Sequence, residues 1–390
     1  MCKLLEELLF GASSEYQWDK PAEEFDGSAA LVQLFFFALV WGVGGNVVEA
    51  DFPAFDDLVR QQFDGVRGVR CPNQGTVFDY FVSFDVNPPA LAPWDALVGA
   101  FEYKEEVAFF DLMVPTVVTT RMGWLLERYL NQGHSVLFTG STGVGKSVVA
   151  KDTLERLQAK GEWVPVTMNF SAQTSALRTQ ETIESKLEKK GKSRLGAAPG
   201  KKMVIFVDDL NMPKLEEYGA QPPIELLRQF QDFRGFYDRE QLFWKGVEDV
   251  TLIAACAPPG GGRNAITPRF TRHFSVFALP APDDKALKSI FVQIMKGFFT
   301  TTGFSKAVQG SVEGMVKTAV DIYFRMSTDL LPTPAKSHYV FNLRDLSKCV
   351  QGVLQADPST IRDVDQVSEL FWHESLRVFH DRLINEEDKT

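Results

Sequence analysis

Along the chain, stretches whose hydrophobic residues recur at helical intervals are followed by stretches with the pattern of extended structure. Residues 1–65 place leucine, phenylalanine and valine at helical intervals, which predicts helices. Residues 66–113 carry alternating aromatic side chains between several prolines, a pattern typical of an extended connector or a small hairpin. We therefore expect a helical N-terminal segment and a connector ahead of the first regular succession of strands and helices.

Between residues 114 and 282, short and uniformly apolar runs alternate with amphipathic stretches of helical spacing. Four runs have the length and composition of fully buried strands: SVLFTG, WVPVTMNFS, MVIFVDD and VTLIAAC. Buried strands separated by helices indicate an α/β domain with a parallel sheet that helices cover on both faces. In residues 283–390 the spacing is helical throughout, so we expect an all-helical domain to follow.

The longest apolar run extends from Ala29 to Val48 and has the length of a membrane span. Gln33, Asn46 and three glycines interrupt it, and acidic residues flank it on both sides. Since such interruptions are unfavourable in a bilayer, we expect a helix buried among other helices and no membrane contact. The first residues lack the basic start of a signal peptide and are interpreted as a helix that continues from a longer chain.

The composition narrows the classes of function. The 390 residues include 41 Lys and Arg against 51 Asp and Glu, a formal net charge of −10, which argues against a surface built to bind nucleic acid. The basic stretch 186–202 is interpreted as a solvated loop between a helix and a strand, with nucleic-acid or filament binding as the less favoured alternative. Four widely spaced cysteines favour a reducing compartment over a disulfide framework or a zinc site: Cys2, Cys71, Cys256 and Cys349.

The strongest chemical signal is the segment GSTGVGKS, which follows the apolar run SVLFT and precedes an amphipathic helix. Its glycines let backbone N–H groups converge on phosphate oxygens. We expect Lys146 to bind the β- and γ-phosphates and the Ser147 hydroxyl to bind Mg²⁺. The predicted phosphate loop comprises Gly140, Ser141, Thr142, Gly143, Val144, Gly145, Lys146 and Ser147.

Two carboxylates end the apolar run MVIFVDD. Asp208 is expected to hold Mg²⁺, and Asp209 occupies the place of a catalytic base that polarises the attacking water. An acidic strand end that merely faces solvent is the alternative, and the phosphate loop weighs against it.

Arginines follow the last predicted strand, VTLIAAC. Three glycines at 260–262 are interpreted as a mobile loop, and Arg263, Arg269 and Arg272 come after them. These arginines suit a finger offered to a nucleotide in an adjoining module, with surface ion pairing as an equally favoured alternative for each. Arg344 begins a helix of the all-helical domain and is expected to contact the phosphates as part of a lid.

Long segments of the chain resemble the third AAA+ module of an axonemal dynein heavy chain, most closely the single-headed inner-arm type. They are GSTGVGKS, VIFVDDLNMPKLEEYGAQPPIELLRQFQDFRGFYD, AACAPPGGGRNAITPRFTRHF and HYVFNLRDLSKCVQG. The resemblance implies an AAA+ P-loop NTPase fold in four parts. These are the helical remainder of the second module at 1–65, a connector at 66–113, the large α/β nucleotide-binding domain at 114–282 and a small helical lid domain at 283–390.

The resemblance also implies roles for individual residues, with ATP or ADP and Mg²⁺ as cofactors. Arg344 matches the second-sensor arginine of the lid. Arg269 matches the finger that reaches the preceding module, with Arg272 as the alternative. The turn that lines the adenine corresponds to Val114, Pro115 and Thr116.

Two positions depart from the general AAA+ pattern. Asp209 stands where glutamate is usual and is one methylene shorter, and Ala257 stands where a polar asparagine is usual. General-base and positioning effects are each worth about 10²–10⁴ in rate. We therefore expect a module that binds nucleotide tightly, hydrolyses it slowly or not at all, and regulates the motor.

The resemblance places the module in a minus-end-directed microtubule motor of cilia and flagella, located in the cytoplasm, the cytoskeleton and the axoneme. The implied partners are neighbouring AAA+ modules of the same heavy chain, dynein intermediate and light chains, and microtubules. Two other classes stay open at this point. A stand-alone AAA+ remodelling ATPase in a homomeric ring is disfavoured by the missing glutamate and asparagine, and a small-molecule P-loop kinase by the helical lid.

Overall fold

The computed structural model describes residues 1–10, 27–69, 71–86 and 89–389, so residues 11–26 of the helical prediction for 1–65 lie outside the described residues. The chain divides into two compact units. The first comprises Met1–Val98, Val117–Ser141 and Gly145–Pro280. The second comprises Gly99–Thr116, Thr142–Val144 and Ala281–Thr390.

Helices and strands alternate in the first unit. Its α-helices, within the described ranges, are α1 (Cys2–Phe10), α2 (Gly27–Gly44), α3 (Phe52–Phe63), α4 (Val117–Asn131), α5 (Lys146–Ala159), α6 (Ala176–Glu184), α7 (Pro222–Phe233) and α8 (Pro268–Thr271). Its strands are β1 (Tyr80–Ser83), β2 (Ala90–Pro93), β3 (Ser135–Thr139), β4 (Trp163–Asn169), β5 (Glu188–Gly191), β6 (Arg194–Gly196), β7 (Lys202–Asp208), β8 (Gly235–Tyr237), β9 (Trp244–Glu248), β10 (Val250–Cys256) and β11 (Phe274–Ala278).

A five-stranded parallel sheet forms the centre of the first unit, in the order β11-β3-β10-β7-β4. All seven residues of β10 are buried, because this strand lies inside the sheet between β3 and β7. The predicted α/β class and parallel sheet are confirmed. The sheet also contains β11, a strand that the sequence analysis did not separate from the arginine-rich segment before it.

A second, four-stranded sheet has the order β5-β6-β9-β8. Its strands β5 and β6 contain seven residues of the basic stretch 186–202. The stretch is mostly exposed and lies between a helix and a strand, as predicted, but part of it pairs as strands where a loop was predicted. Lys190 pairs with Asp249 at 2.6 Å, and Arg194 pairs with Glu248 of β9 at 3.3 Å. Cross-strand ion pairs of this kind stabilise a sheet edge that lacks an apolar pattern, which is why hydrophobic spacing did not reveal these strands.

The N-terminal helices pack within the same unit as the central sheet. Glu7 of α1 is fully buried and accepts hydrogen bonds from Asn131 Nδ2 at 2.9 Å and Gln132 Nε2 at 2.6 Å. Gly45, just after α2, accepts a hydrogen bond from the backbone N–H of Ala278 in β11 at 2.9 Å. Among the described helices, α2 has the length and apolar composition to cross a membrane, and half of it is buried inside the structure.

The connector forms an antiparallel hairpin of β1 and β2 next to a buried aromatic cluster. The carbonyl of Phe78 accepts two hydrogen bonds there, from Trp94 Nε1 at 3.1 Å and from Arg121 Nη1 at 3.2 Å. Burial lowers the pKa of Arg121 to about 10. The hairpin thus contributes large aromatic side chains to the core of the first unit.

The second unit is mainly helical. Its α-helices, among the residues that the structure describes, are α9 (Asp284–Thr301), α10 (Lys306–Asp329), α11 (Leu343–Val353), α12 (Val364–Ser375) and α13 (Glu386–Lys389). A π-helical turn at Leu376–His380 continues α12. The side chains of Asp283, Ser305 and Asp363 cap α9, α10 and α12 by accepting hydrogen bonds from backbone N–H groups of the first turn.

Candidate functional site

The segment GSTGVGKS connects β3 to α5 at the carboxyl edge of the central sheet. Gly143 and Gly145 have φ angles of +89° and +90°, a region that favours glycine, and α5 begins at Lys146. A Cβ built on Gly145 meets no atom within 4 Å. Open space beside backbone N–H groups and a helix N-terminus is the arrangement that accepts an anion.

Lys146 is 9% exposed and is held by the loop itself. Its ammonium donates hydrogen bonds to the carbonyl of Gly140 at 2.9 Å and to that of Ser141 at 2.7 Å. Burial lowers the pKa of Lys146, while the negative charges of Asp208 and Asp209 act in the opposite direction. Ser147 follows in the first turn of α5 and is half-buried.

Asp208 and Asp209 stand where β7 ends, on the same sheet edge. Asp208 is half-buried, and its Oδ1 accepts a hydrogen bond from the backbone N–H of Asp209 at 3.0 Å. Asp209 has a left-handed backbone with φ at +51°, and its side chain is 53% exposed. Arg263 Nη2 lies 3.9 Å from Asp209 Oδ1. The two carboxylates therefore differ in environment, because one belongs to the strand end and the other extends into solvent.

Asn211 is a structural residue of this edge that the sequence analysis missed. It is 1% exposed, and its Nδ2 donates hydrogen bonds to the carbonyls of Ala257 at 2.7 Å and Asn264 at 3.1 Å. Both amide protons are thus committed to backbone acceptors. Ala257 itself is buried and contributes only a methyl group. Asn211 therefore fastens the segment after β10 to the turn after β7 and does not replace the donor that Ala257 lacks.

The triple glycine, which the sequence suggested to be a mobile loop, forms a closed turn, and its mobility stays a prediction. Gly260 and Arg263 exchange two backbone hydrogen bonds, each 3.0 Å long. Gly260, Gly261 and Gly262 all have positive φ angles, at +123°, +55° and +85°. Three such residues in succession require glycine, so the glycines provide a tight reversal that orients Arg263.

The two candidate fingers have different surroundings. Arg272 Nη2 donates to Asp232 Oδ1 at 2.7 Å, and Asp232 also binds Arg228 at 2.7 Å and His273 at 3.0 Å. Arg269, on the short helix α8, is exposed, and it forms no ion pair with any residue that the structure describes. Arg272 is thus committed to its own unit, whereas Arg269 is available to another partner.

In the second unit, the tip of the phosphate loop, Thr142–Val144, lies beside the start of α11. A Cβ built on Gly143 would come 3.1 Å from Leu343 Cβ and 3.9 Å from the backbone nitrogen of Arg344. The Arg344 N–H donates to Asn342 Oδ1 at 2.9 Å, and the Arg344 side chain is exposed. This unit also contains the predicted adenine turn, in which one residue is buried and two are half-buried: Val114, Pro115 and Thr116.

The residues at this edge fit a magnesium-bound nucleotide. A lysine, a serine hydroxyl and a carboxylate lie at this edge, because Lys146 and Ser147 begin the helix after β3 and Asp208 ends β7, with β10 between the two strands. The described residues contain no group of three or more His, Cys, Asp or Glu side chains that could hold a metal by themselves. Mg²⁺ commonly binds through one or two carboxylates together with substrate phosphates, so this donor set suits a metal that arrives with its nucleotide.

Comparison with known proteins assigns each part of the chain to one family. Residues 101–282 match the P-loop containing dynein motor region, residues 294–389 match the dynein heavy chain ATPase lid domain, and residues 1–96 match the dynein heavy chain AAA lid domain.

Individual relatives agree with this assignment. Dynein axonemal heavy chain 6 of Homo sapiens is 54% identical over 389 residues, which is 100% of this chain and 9% of the relative. Dynein axonemal heavy chain 12 of Rattus norvegicus is 40% identical over 91% of this chain and 12% of the relative. Dynein-1-beta heavy chain of the flagellar inner arm I1 complex of Chlamydomonas reinhardtii is 38% identical over 92% of this chain and 8% of the relative. The chain therefore spans roughly a tenth of the length of these relatives, and it belongs to the axonemal dynein heavy chains, within their AAA+ ATPase region.

Proposed function

We propose that the chain is a regulatory nucleotide-binding module, formed by the third AAA+ module of the heavy chain together with the end of the second. The observation that supports this most is the convergence of Lys146, Ser147 and Asp208 at one edge of a parallel sheet. Lys146 would hold the β- and γ-phosphates of ATP or ADP. Ser147 and Asp208 would hold Mg²⁺, which neutralises phosphate charge when bound.

Slow hydrolysis is the second part of the proposal. Asp209 is one methylene shorter than the usual glutamate, is half exposed, and has the cation of Arg263 3.9 Å away. Ala257 has no hydrogen-bond donor in its side chain. Asn211 Nδ2 already donates both of its hydrogens to backbone carbonyls. The module therefore has the parts for holding nucleotide and lacks the usual parts for activating water.

Contacts beyond the phosphate loop complete the proposed site. Val114–Thr116 would line the adenine, and Arg344, whose backbone lies beside the loop tip, would act as the lid arginine. Arg269 would be the finger for the nucleotide of the preceding module, because it is exposed and forms no ion pair with the described residues. Arg272 is the weaker candidate, since Asp232 already holds it.

At the level of the whole heavy chain, the module would belong to a microtubule motor that drives ciliary and flagellar movement. The names of the relatives, which include "axonemal" and "flagellar inner arm", support an axonemal location and an inner-arm type. Neighbouring AAA+ modules would be the direct partners. Intermediate and light chains and microtubules would be reached through other parts of the motor.

A single-turnover assay tests the proposal. The chain is linked to the neighbouring module whose arginine finger reaches this nucleotide site. The linked protein is mixed with a substoichiometric amount of Mg-ATP, and bound ATP and ADP are quantified over time. We expect tight retention of nucleotide and hydrolysis far slower than the median enzyme turnover of about 10 s⁻¹. Hydrolysis at a rate of that order would overturn the regulatory assignment, and a chain that retains no nucleotide would overturn the binding assignment.

A further inference from the structure

We propose that Arg263 binds the γ-phosphate of the nucleotide held by its own module and thereby lets the module distinguish ATP from ADP. The inference rests on the proposed function, and it assigns the missing donor role to a residue outside the phosphate loop, the lid and the finger. Arg263 follows β10, which lies between β3 and β7 in the sheet. The ends of those two flanking strands carry the phosphate loop and the acidic pair.

The backbone around Arg263 is fixed on both sides. Its N–H and carbonyl exchange hydrogen bonds with Gly260 across the triple-glycine turn. The next residue, Asn264, donates its backbone N–H to the carbonyl of Asn211 at 3.0 Å, and Asn211 Nδ2 donates back to the carbonyl of Asn264. The side chain therefore starts from a rigid platform joined to the acidic turn. Preorganised donors of this kind stabilise charge without reorganisation when a ligand arrives.

The guanidinium of Arg263 has unused hydrogen-bonding capacity. The side chain is 23% exposed, and its Nε is buried with no acceptor among the described residues. The nearest carboxylate oxygen, Asp209 Oδ1, lies 3.9 Å from Nη2, which is longer than a hydrogen bond. A buried N–H without an acceptor costs free energy, and an anionic oxygen at this position would remove that cost.

Phosphate is the anion that the surroundings favour. Arg263 belongs to the same group of charges as Lys146, Asp208 and Asp209, all at the carboxyl edge of the central sheet. The planar guanidinium matches two oxygens of one phosphoryl group. A terminal phosphoryl group would therefore compete with Asp209 for Arg263, and its loss on conversion to ADP would return the arginine to the carboxylate.

A role for Arg263 as a finger toward another module fits the geometry less well. More than three quarters of its side chain is covered, and its closest charged partner is a residue of its own site. Arg269, which is exposed, has the features that a finger needs.

The experiment compares Mg-ATPγS with Mg-ADP by isothermal titration calorimetry on the 390-residue chain and its variants. We expect Arg263→Ala to weaken ATPγS binding about tenfold or more and to change ADP binding less than about twofold, as for the loss of a charge-assisted hydrogen bond. Arg263→Lys keeps the positive charge but lacks the paired N–H donors of the guanidinium. Its loss of ATPγS affinity should be smaller and equally selective for ATPγS over ADP. Arg239→Ala, which removes an arginine paired with Glu181 at 2.9 Å, is the matched control and should leave both affinities unchanged.

Asp209→Asn provides a test of opposite sign. Because the competing carboxylate charge is removed, we expect ATPγS binding to tighten relative to ADP. If Arg263→Ala does not fold, as judged by circular dichroism, the Lys and Asn variants decide the question by their opposite effects on the affinity ratio. Equal losses for both nucleotides, or no loss for either, would overturn the role of Arg263 alone. A wild-type chain that binds neither nucleotide would overturn the proposed function and this inference together.

Discussion

The ammonium of Lys146 donates a hydrogen bond to the carbonyl of Gly140 at 2.9 Å, so the lysine closes the loop from which it extends. A second bond, to Ser141, has a length of 2.7 Å. An ammonium has three N–H donors, and the loop takes two of them. One donor is left for a phosphate oxygen, so contact with both the β- and the γ-phosphate would require the lysine to release at least one backbone carbonyl, which must then find another donor or water.

This relationship predicts the effect of Lys146→Ala on ligand-induced stabilisation. For the wild-type chain, Mg-ADP at a hundredfold excess over its Kd should raise the free energy of unfolding by about 2.7 kcal/mol. The variant should lose most of that gain because the cation that binds the phosphates is missing. Urea unfolding with and without Mg-ADP measures the difference. Lys160→Ala, directly after the end of the same helix and paired with Glu127, is the control and should retain the gain.

Asp209→Glu should raise the slow hydrolysis rate of the module. The longer side chain extends the carboxylate by one methylene, toward the place where a general base acts in this fold. We expect an increase of about tenfold or more in a single-turnover assay with the neighbouring finger present. Asp209→Asn, which removes the base, should lower the rate further. An unchanged rate in Asp209→Glu would show that the base is not the limiting part of the site.

Substitution of the two finger candidates, Arg269 and Arg272, should affect different properties of the protein. Arg269→Ala should leave the module's own nucleotide affinity and stability unchanged but lower hydrolysis in the preceding module by about 10³-fold or more. Arg272→Ala should act locally, with a stability loss of less than about 1 kcal/mol, because Arg272 is exposed and Asp232 keeps its contacts with Arg228 and His273. Turnover in a protein that contains both modules, together with urea unfolding, distinguishes them. The reverse pattern would assign the finger to Arg272.

The parts of the site that the sequence predicted are those with local signals. The phosphate loop is one continuous segment between a buried strand and a helix, and its glycines and lysine are recognisable from spacing alone. The acidic pair likewise ends an apolar run. Hydrophobic spacing reports burial over five to seven residues, so it located the long inner strands and missed the second sheet, whose strands are short and charged.

The missed parts depend on partners that are distant along the chain. Asn211 bonds to residues 46 and 53 positions away, and nothing in its immediate sequence indicates burial. Arg263, Arg269 and Arg272 look equivalent as a sequence pattern. Only the folded structure shows that Arg263 lies beside the acidic turn and that Asp232 holds Arg272. It also shows that Arg269 forms no ion pair with the described residues. Side-chain roles of this kind follow from tertiary pairing and not from spacing.

Asp238, in the turn between β8 and β9, should make the stability of the second sheet depend on pH. Its carboxylate accepts backbone N–H bonds from Gln241 at 2.7 Å and Glu240 at 2.9 Å, and Lys245 Nζ lies 2.6 Å away. The Gln241 bond and the Lys245 cation lower the pKa of Asp238 to about 2. The folded state therefore prefers the ionised form. The stabilisation is complete above the unfolded pKa of about 3.9 and is lost as the pH falls toward 2.

The measurement is the difference in unfolding free energy between the wild type and Asp238→Asn across pH 5 to 2. We expect the difference to be largest at pH 5 and to shrink steadily below pH 4, because protonation of the wild type removes the same charge as the substitution. The control is Glu240→Gln in the same turn, since Glu240 is exposed and forms no ion pair with the described residues. Its unfolding free energy should change with pH as that of the wild type does. A difference that stays constant down to pH 2, or a carboxyl ¹³C titration of Asp238 with a midpoint near 4, would show that the turn does not stabilise this charge.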